Sequence, residues 1–153
     1  MLHYIRMNEI EADSTRTLAN AVKYANMSVK SKNNAQVYAK VSEQNALKVA
    51  YSNDKINELN LKILDAIEYI KNPEIDFDTS ERYLKLIDDA IELMKKYQAD
   101  AEEAAELVNV YKNKTTVEYN ESVSSHERTL DYVESMKSTL QTYGYVEPMK
   151  NVL

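Results

Sequence analysis

Chemistry in this chain would have to come from carboxylates, phenols, hydroxyls and two imidazoles, because cysteine is absent, and with it thiolate nucleophiles, thiolate metal sites and disulfides. Glu102, Glu103 and Glu106 form a dense carboxylate cluster and raise the question of a di-metal site. On helices such a site takes Glu-x-x-His, which sends both ligands inward from one face. Neither His3 nor His126 has a Glu three residues before it, so the cluster reads as a solvated helix face and no metal ligand is assigned. Ser124-Ser125-His126-Glu127 spells out a hydrolytic triad as text only. Consecutive helical residues point about 100 degrees apart, so nucleophile, base and orienting acid on adjacent positions do not converge. A single Gly leaves no material for Gly-rich phosphate loops, which excludes the common nucleotide-binding enzymes. The chain reads as non-enzymatic, with no catalytic residue and no cofactor.

His126 takes a different meaning from its spacing. It falls in a heptad pattern with Ser122, and Lys32 occupies the matching pattern in the first half of the chain. The three are read as a polar layer in a helix seam, a device that fixes register. Tyr24 and Tyr38 are fourteen residues apart, and so are Tyr83, Tyr97 and Tyr111. Two heptads return a side chain to the same face, and an aromatic with a polar tip suits a half-buried seam edge. The edge formed by Tyr83, Tyr97 and Tyr111 is also a candidate surface for a protein partner. Ile75 and Phe77, set in a polar stretch, are a second candidate, and Tyr145, Val146 and Met149, beyond the last helix, are a third. The last of these alternatively folds back onto Leu2, Tyr4, Ile5 and Ile10.

All of these residues need long helices to hold them, and composition asks for the same. One Gly and two Pro among 153 residues leave few chain reversals. The heptad phase runs through Leu18, Ala21, Ala25, Ser28 and Lys32 to Ile63, Ile67 and Ile70, then stops at Lys71-Asn72-Pro73. A new start follows at Asp78-Thr79-Ser80-Glu81, where Asp78 or Thr79 can cap a helix. A second phase then runs from Leu84, Ile87, Ile91 and Met94 through Ser122, His126 and Thr129 to Leu140 and Tyr143. The expected fold is all-α: one domain over residues 1–153, with a helix at about 12–71, a turn at 72–78, a helix at about 79–143 and a tail at 144–153. A short link between long helices makes them antiparallel neighbours, coiled-coil-like, folded about Ile75. The alternative is an up-down four-helix bundle broken near 31–34 and 112–116, the two most polar points.

Charge supports the folding-back independently. Residues 14–53 carry a net charge of +5 and their expected partners, residues 99–136, carry −6. Opposed stretches of this kind set orientation and partner choice in coiled coils more than they add stability. The overall net charge of −6 argues against a nucleic-acid partner. No run approaches the roughly 18 apolar residues of a membrane span, and the opening MLHYIRMNEIE lacks the apolar core of a signal peptide, so a cytoplasmic or virion-associated place is expected. The functional expectation is a structural or interaction protein: a helical rod, a homo-oligomer or a component of a larger assembly, with protein partners. A ligand- or signal-sensing helical bundle is the alternative.

Overall fold

The computed structural model describes residues 2–142, with side chains from 9 to 142. Two helices, α1 (Leu2–Ile70) and α2 (Phe77–Thr142), account for nearly all of them and pack antiparallel, and there is no strand among the described residues. The fold is an all-α helical hairpin. The four-helix alternative is set aside, because α1 runs unbroken through 31–34 and α2 through 112–116. Ser, Lys, Asn and Thr at those points cost each helix only a few tenths of a kcal/mol per residue relative to Ala, up to roughly 0.7. Neither point contains Gly or Pro. α1 also begins at Leu2, earlier than the expected start near 12, since no helix breaker stands before it. The tail at 144–153, with Tyr145, Val146 and Met149, lies outside the described residues.

The connection is built by Asn72, Pro73 and Asp76. The Ile75 amide donates to the Asn72 carbonyl at 3.2 Å and the Glu74 amide to Asn72 Oδ1 at 3.0 Å, a turn with Pro73 at the position where its fixed φ fits. The cap of α2 is Asp76, two residues before the expected Asp78: its Oδ1 accepts the Thr79 amide at 2.7 Å, and its carbonyl accepts the Ser80 amide at 3.0 Å. Hydrogen bonds from the Thr79 hydroxyl, and secondly from its backbone N–H, hold the Asp76 carboxyl below the usual carboxylate range.

The chain divides into two compact units, one of Met1–Val37 with Lys114–Leu153 and one of Tyr38–Asn113. In the second, which holds the turn, the buried side chains are Ser42, Asn45, Ser52, Leu59 and Ala66 of α1 with Ala90 and Ala104 of α2. The Ser42 hydroxyl donates across to the Val108 carbonyl at 3.3 Å, and Asn45 Nδ2 donates to Val41 O of its own helix at 2.8 Å, so these buried polar groups are satisfied. Ile56, Ile63, Ile67, Ile70, Ile87 and Met94 are half-buried, as an apolar closed end requires. Leu84 and Ile91, expected among them, are instead exposed.

In the first unit the buried residues are Ile10, Ala21, Ala35 and Ser125. Ser28 and Ser122 clasp one another: Ser28 Oγ donates to the Ser122 carbonyl at 2.9 Å and Ser122 Oγ to the Ser28 carbonyl at 3.0 Å. A side-chain oxygen one carbon from the backbone can reach the opposite backbone only where the two helices nearly touch, so small residues here are a packing requirement.

Burial along each helix follows the heptad. On α1 every seventh residue from Ser14 to Ile70, and every seventh from Ile10 to Ala66, is buried or half-buried; on α2 the same holds from Ser80 to Met136 and from Tyr83 to Thr139. One column in each helix is the expected one. The other sits one residue earlier than expected: Tyr24, Ser31 and Tyr38 replace Ala25, Lys32 and Ala39, and Tyr111, Glu118 and Ser125 replace Lys112, Tyr119 and His126. The expected folding point survives the shift, since Ser28 against Ser122 and Ser42 against Val108 centre on Ile75.

Candidate functional site

The shifted column turns the tyrosines into cross-helix pairs. In the turn-containing unit, Tyr83 stacks on Tyr69 at 5.0 Å with planes 6° apart, Tyr97 meets Tyr51 edge-on at 6.3 Å, and Tyr111 lies tilted against Tyr38 at 5.8 Å. In the other unit Tyr24 stacks on Tyr132 at 5.7 Å with planes 10° apart. Pairs of this geometry stabilise by about 0.5–1.5 kcal/mol beyond the area they bury. The three tyrosines read from sequence as a docking edge thus each spend a ring contact on α1. Tyr51, Tyr69 and Tyr132 complete the pairs; their irregular spacing concealed them, and only the cross-helix register relates them to their partners.

Cations decorate the same side. Arg128 lies over the Tyr24 ring at 5.2 Å and its Nη1 donates to Tyr24 Oη at 3.0 Å, while Lys23 lies 5.7 Å from that ring. Beside Tyr24 and Arg128 an open cavity of about 430 Å³ is lined also by Met27, Val117, Glu121 and Ser125. In the other unit a cavity of about 310 Å³ lies beside Tyr51 and Tyr97, next to Lys48, Asp100 and Glu103. Lys55 sits over Tyr51 at 5.5 Å; its ammonium is held above the usual range first by the hydrogen bond to Glu58 and then by the charge of that carboxylate and the Tyr51 phenol. Both cavities are shallow clefts along the helix pair.

The expected polar layer is redistributed. Ser122 stays in the seam against Ser28, but Lys32 and His126 are exposed and Ser31 and Ser125 take their places. Exposed His126 and buried Ser125 point apart, as adjacent helical residues must. Ile75 is half-buried in the turn, and Phe77, the first residue of α2, is 74% exposed. The ion pairs Arg16–Asp13, Lys55–Glu58, Lys71–Glu68 and Lys95–Glu92 each join residues three apart on one helix. Among the described residues no ion pair within 4 Å ties Lys23, Lys30 or Lys40 to α2.

The surface feature missed from sequence is aliphatic. Leu18, Leu84 and Ile91, expected in the seam, are exposed, and so are Val22, Val29, Leu47, Leu61, Leu64, Val123 and Leu130. Part of the signal was present: apolar residues at Leu18, Leu84 and Ile91 extend the pattern to a third heptad column, whereas one partner helix covers two; the others lie in columns further round the helices. No helix among the described residues is long and apolar enough to cross a membrane. No protein-family model, curated protein or solved structure matches the chain.

Proposed function

We propose that this is a non-enzymatic structural or interaction protein, a helical hairpin that self-associates or docks into a larger assembly through protein contacts. The observation that carries the reading is the distribution of side chains: away from the turn the seam is mostly Ala, Ser, Thr and Tyr, while Leu18, Val22, Val29, Leu47, Leu61 and Leu64 of α1 stand 49–65% exposed. Aliphatic surface on this scale marks contact with another macromolecule. Scaffolds, adaptors and virion components of the cytoplasm or the particle are the kinds of assembly that such a hairpin suits.

Sedimentation velocity with small-angle scattering on the purified chain tests this. The expected result is a particle heavier than one chain, or a stable complex with a protein from the native source. A compact monomer that retains no protein partner would overturn it. The ligand-sensing alternative draws on the cleft beside Tyr24 and Arg128; it requires a small molecule that raises the melting temperature in proportion to its occupancy of that cleft.

A further inference from the structure

Within the unit formed by residues 1–37 and 114–153, we infer that a second copy of this chain covers the exposed aliphatic face, turned so that each α1 lies antiparallel against the partner's α2. The inference rests on the self-association reading and specifies its partner, its face and its geometry. On α1 the face is made by Leu18, Val22 and Val29, at 49%, 53% and 59% exposure; on α2 it is made by Tyr119, Val123 and Leu130, at 62%, 40% and 43%. Ala25 and the exposed His126 lie among them.

These residues share one side of the hairpin. With the seam columns set at positions a and d of the heptad, Leu18, Ala25, Tyr119 and His126 fall at e, and Val22, Val29, Val123 and Leu130 at the neighbouring b. In an antiparallel pair the two e columns flank the same edge of the seam. The cleft beside Tyr24 lies on the opposite edge, lined by the g residues Met27, Glu121 and Arg128. Each helix therefore has two apolar faces, one on its neighbour in the chain and one looking outward. An a, d and e pattern belongs to a helix with two helical neighbours.

Area and charge select the occupant. The described stretches of the unit, residues 9–37 and 114–142, give a face about 43 Å long and roughly 20 Å wide, near 850 Å². A specific interface takes about 800 Å² from each partner, so one further copy of the same face is sufficient. Residues 14–37 carry Arg16, Lys23, Lys30 and Lys32 and no acid, whereas residues 114–136 carry five acids against Lys114 and Arg128. Two copies packed with α1 on α1 would oppose like charges. A two-fold axis parallel to the helices instead lays α1 on the partner's α2 with the antiparallel register already used within the chain, so that each basic stretch lies beside an acidic one. The dimer is then a four-helix bundle over this unit in which every α1 has two α2 neighbours.

The absence of native cysteine allows a direct test on the full chain. Purified Val22→Cys and Leu130→Cys variants are oxidised separately and as a mixture, with sedimentation equilibrium run alongside. The expected result is a cross-linked dimer that forms in the mixture and far less in either variant alone. Leu130→Glu should raise the dimer dissociation constant by about 30-fold or more, the loss of one buried anchor, with helicity by circular dichroism unchanged because Leu130 is exposed in the single chain. Asn20→Lys, on the opposite, g edge of α1, should leave association intact. An oligomer whose cross-links join Val22 to Val22, or which ignores Leu130→Glu, overturns this geometry while self-association stands. A monomer at every concentration overturns the proposed dimer, and docking on a different protein is then decided by the complex sought from the native source.

Discussion

Replacing Ser28 with Leu sets two arguments against each other. Read as a heptad seam, Ser28 is a missed opportunity, since a buried Leu contributes roughly 1.5–3 kcal/mol more than an exposed one. Read in three dimensions, Ser28 Oγ lies 2.9 Å from the Ser122 carbonyl oxygen and 3.2 Å from Ser122 Oγ, so there is no volume for the two additional heavy atoms of Leu. Overpacking costs about 1–3 kcal/mol. Both cross-helix hydroxyl–carbonyl bonds are lost as well, at about 0.5–1.5 kcal/mol each. Ser28→Leu should therefore destabilise the chain by about 2–6 kcal/mol. Ser28→Ala loses one such bond and regains up to about 0.5 kcal/mol of helix propensity, for a net cost of roughly 0–1 kcal/mol. Urea unfolding followed by circular dichroism at 222 nm, at fixed protein concentration, gives both values. A Leu variant as stable as the Ala variant, or more so, would refute the close approach of the helices at Ser28 and with it the account of why the seam is small.

Four further outcomes follow from the geometry. Tyr132→Leu keeps apolar bulk but removes the ring stacked on Tyr24, and should cost about 0.5–1.5 kcal/mol in the same unfolding assay. Asp76→Ala should lower the urea midpoint near neutral pH by removing the α2 cap. Because the folded-state pKa of Asp76 is depressed, its contribution is complete above the unfolded carboxylate value of about 3.9 and is lost as pH falls through the lower folded value. The gap between parent and Asp76→Ala midpoints should thus be constant from pH 7 to about 5 and close in strong acid; a gap unchanged at the acid end would remove the charged cap. Reversing Lys23 and Lys30 to Glu should weaken self-association more at low than at high salt, measured by sedimentation, since unpaired charges act at a distance and are screened.

The architecture was legible because helix and turn are written in local residues. The scarcity of Gly and Pro, the two long heptad phases, Pro73 and the opposed charge stretches specify an antiparallel hairpin folded about Ile75, and Ser28 against Ser122 confirms that point. The cap was expected at Asp78 or Thr79 because both residue types suit it, and only the chain path at the turn lets Asp76 reach the Thr79 amide instead. The candidate site was legible in part. The even spacing of Tyr83, Tyr97 and Tyr111 was visible, but Tyr51, Tyr69 and Tyr132 acquired partners only through the register between helices.

By itself the sequence determined that there would be two helices, where the chain would turn and which halves would meet, since these depend on propensity, breakers and charge along one chain. Which column of each helix faces the other was decided only by tertiary structure. Adjacent heptad columns differ by about 50 degrees of rotation, and a chain apolar in three of them offers two seams of similar pattern. The seam adopted keeps the column of Ser28 and Ser122, whose hydroxyls reach the opposite backbone, and adds the column that pairs the tyrosines across the helices, and that choice turns Leu18, Leu84 and Ile91 outward.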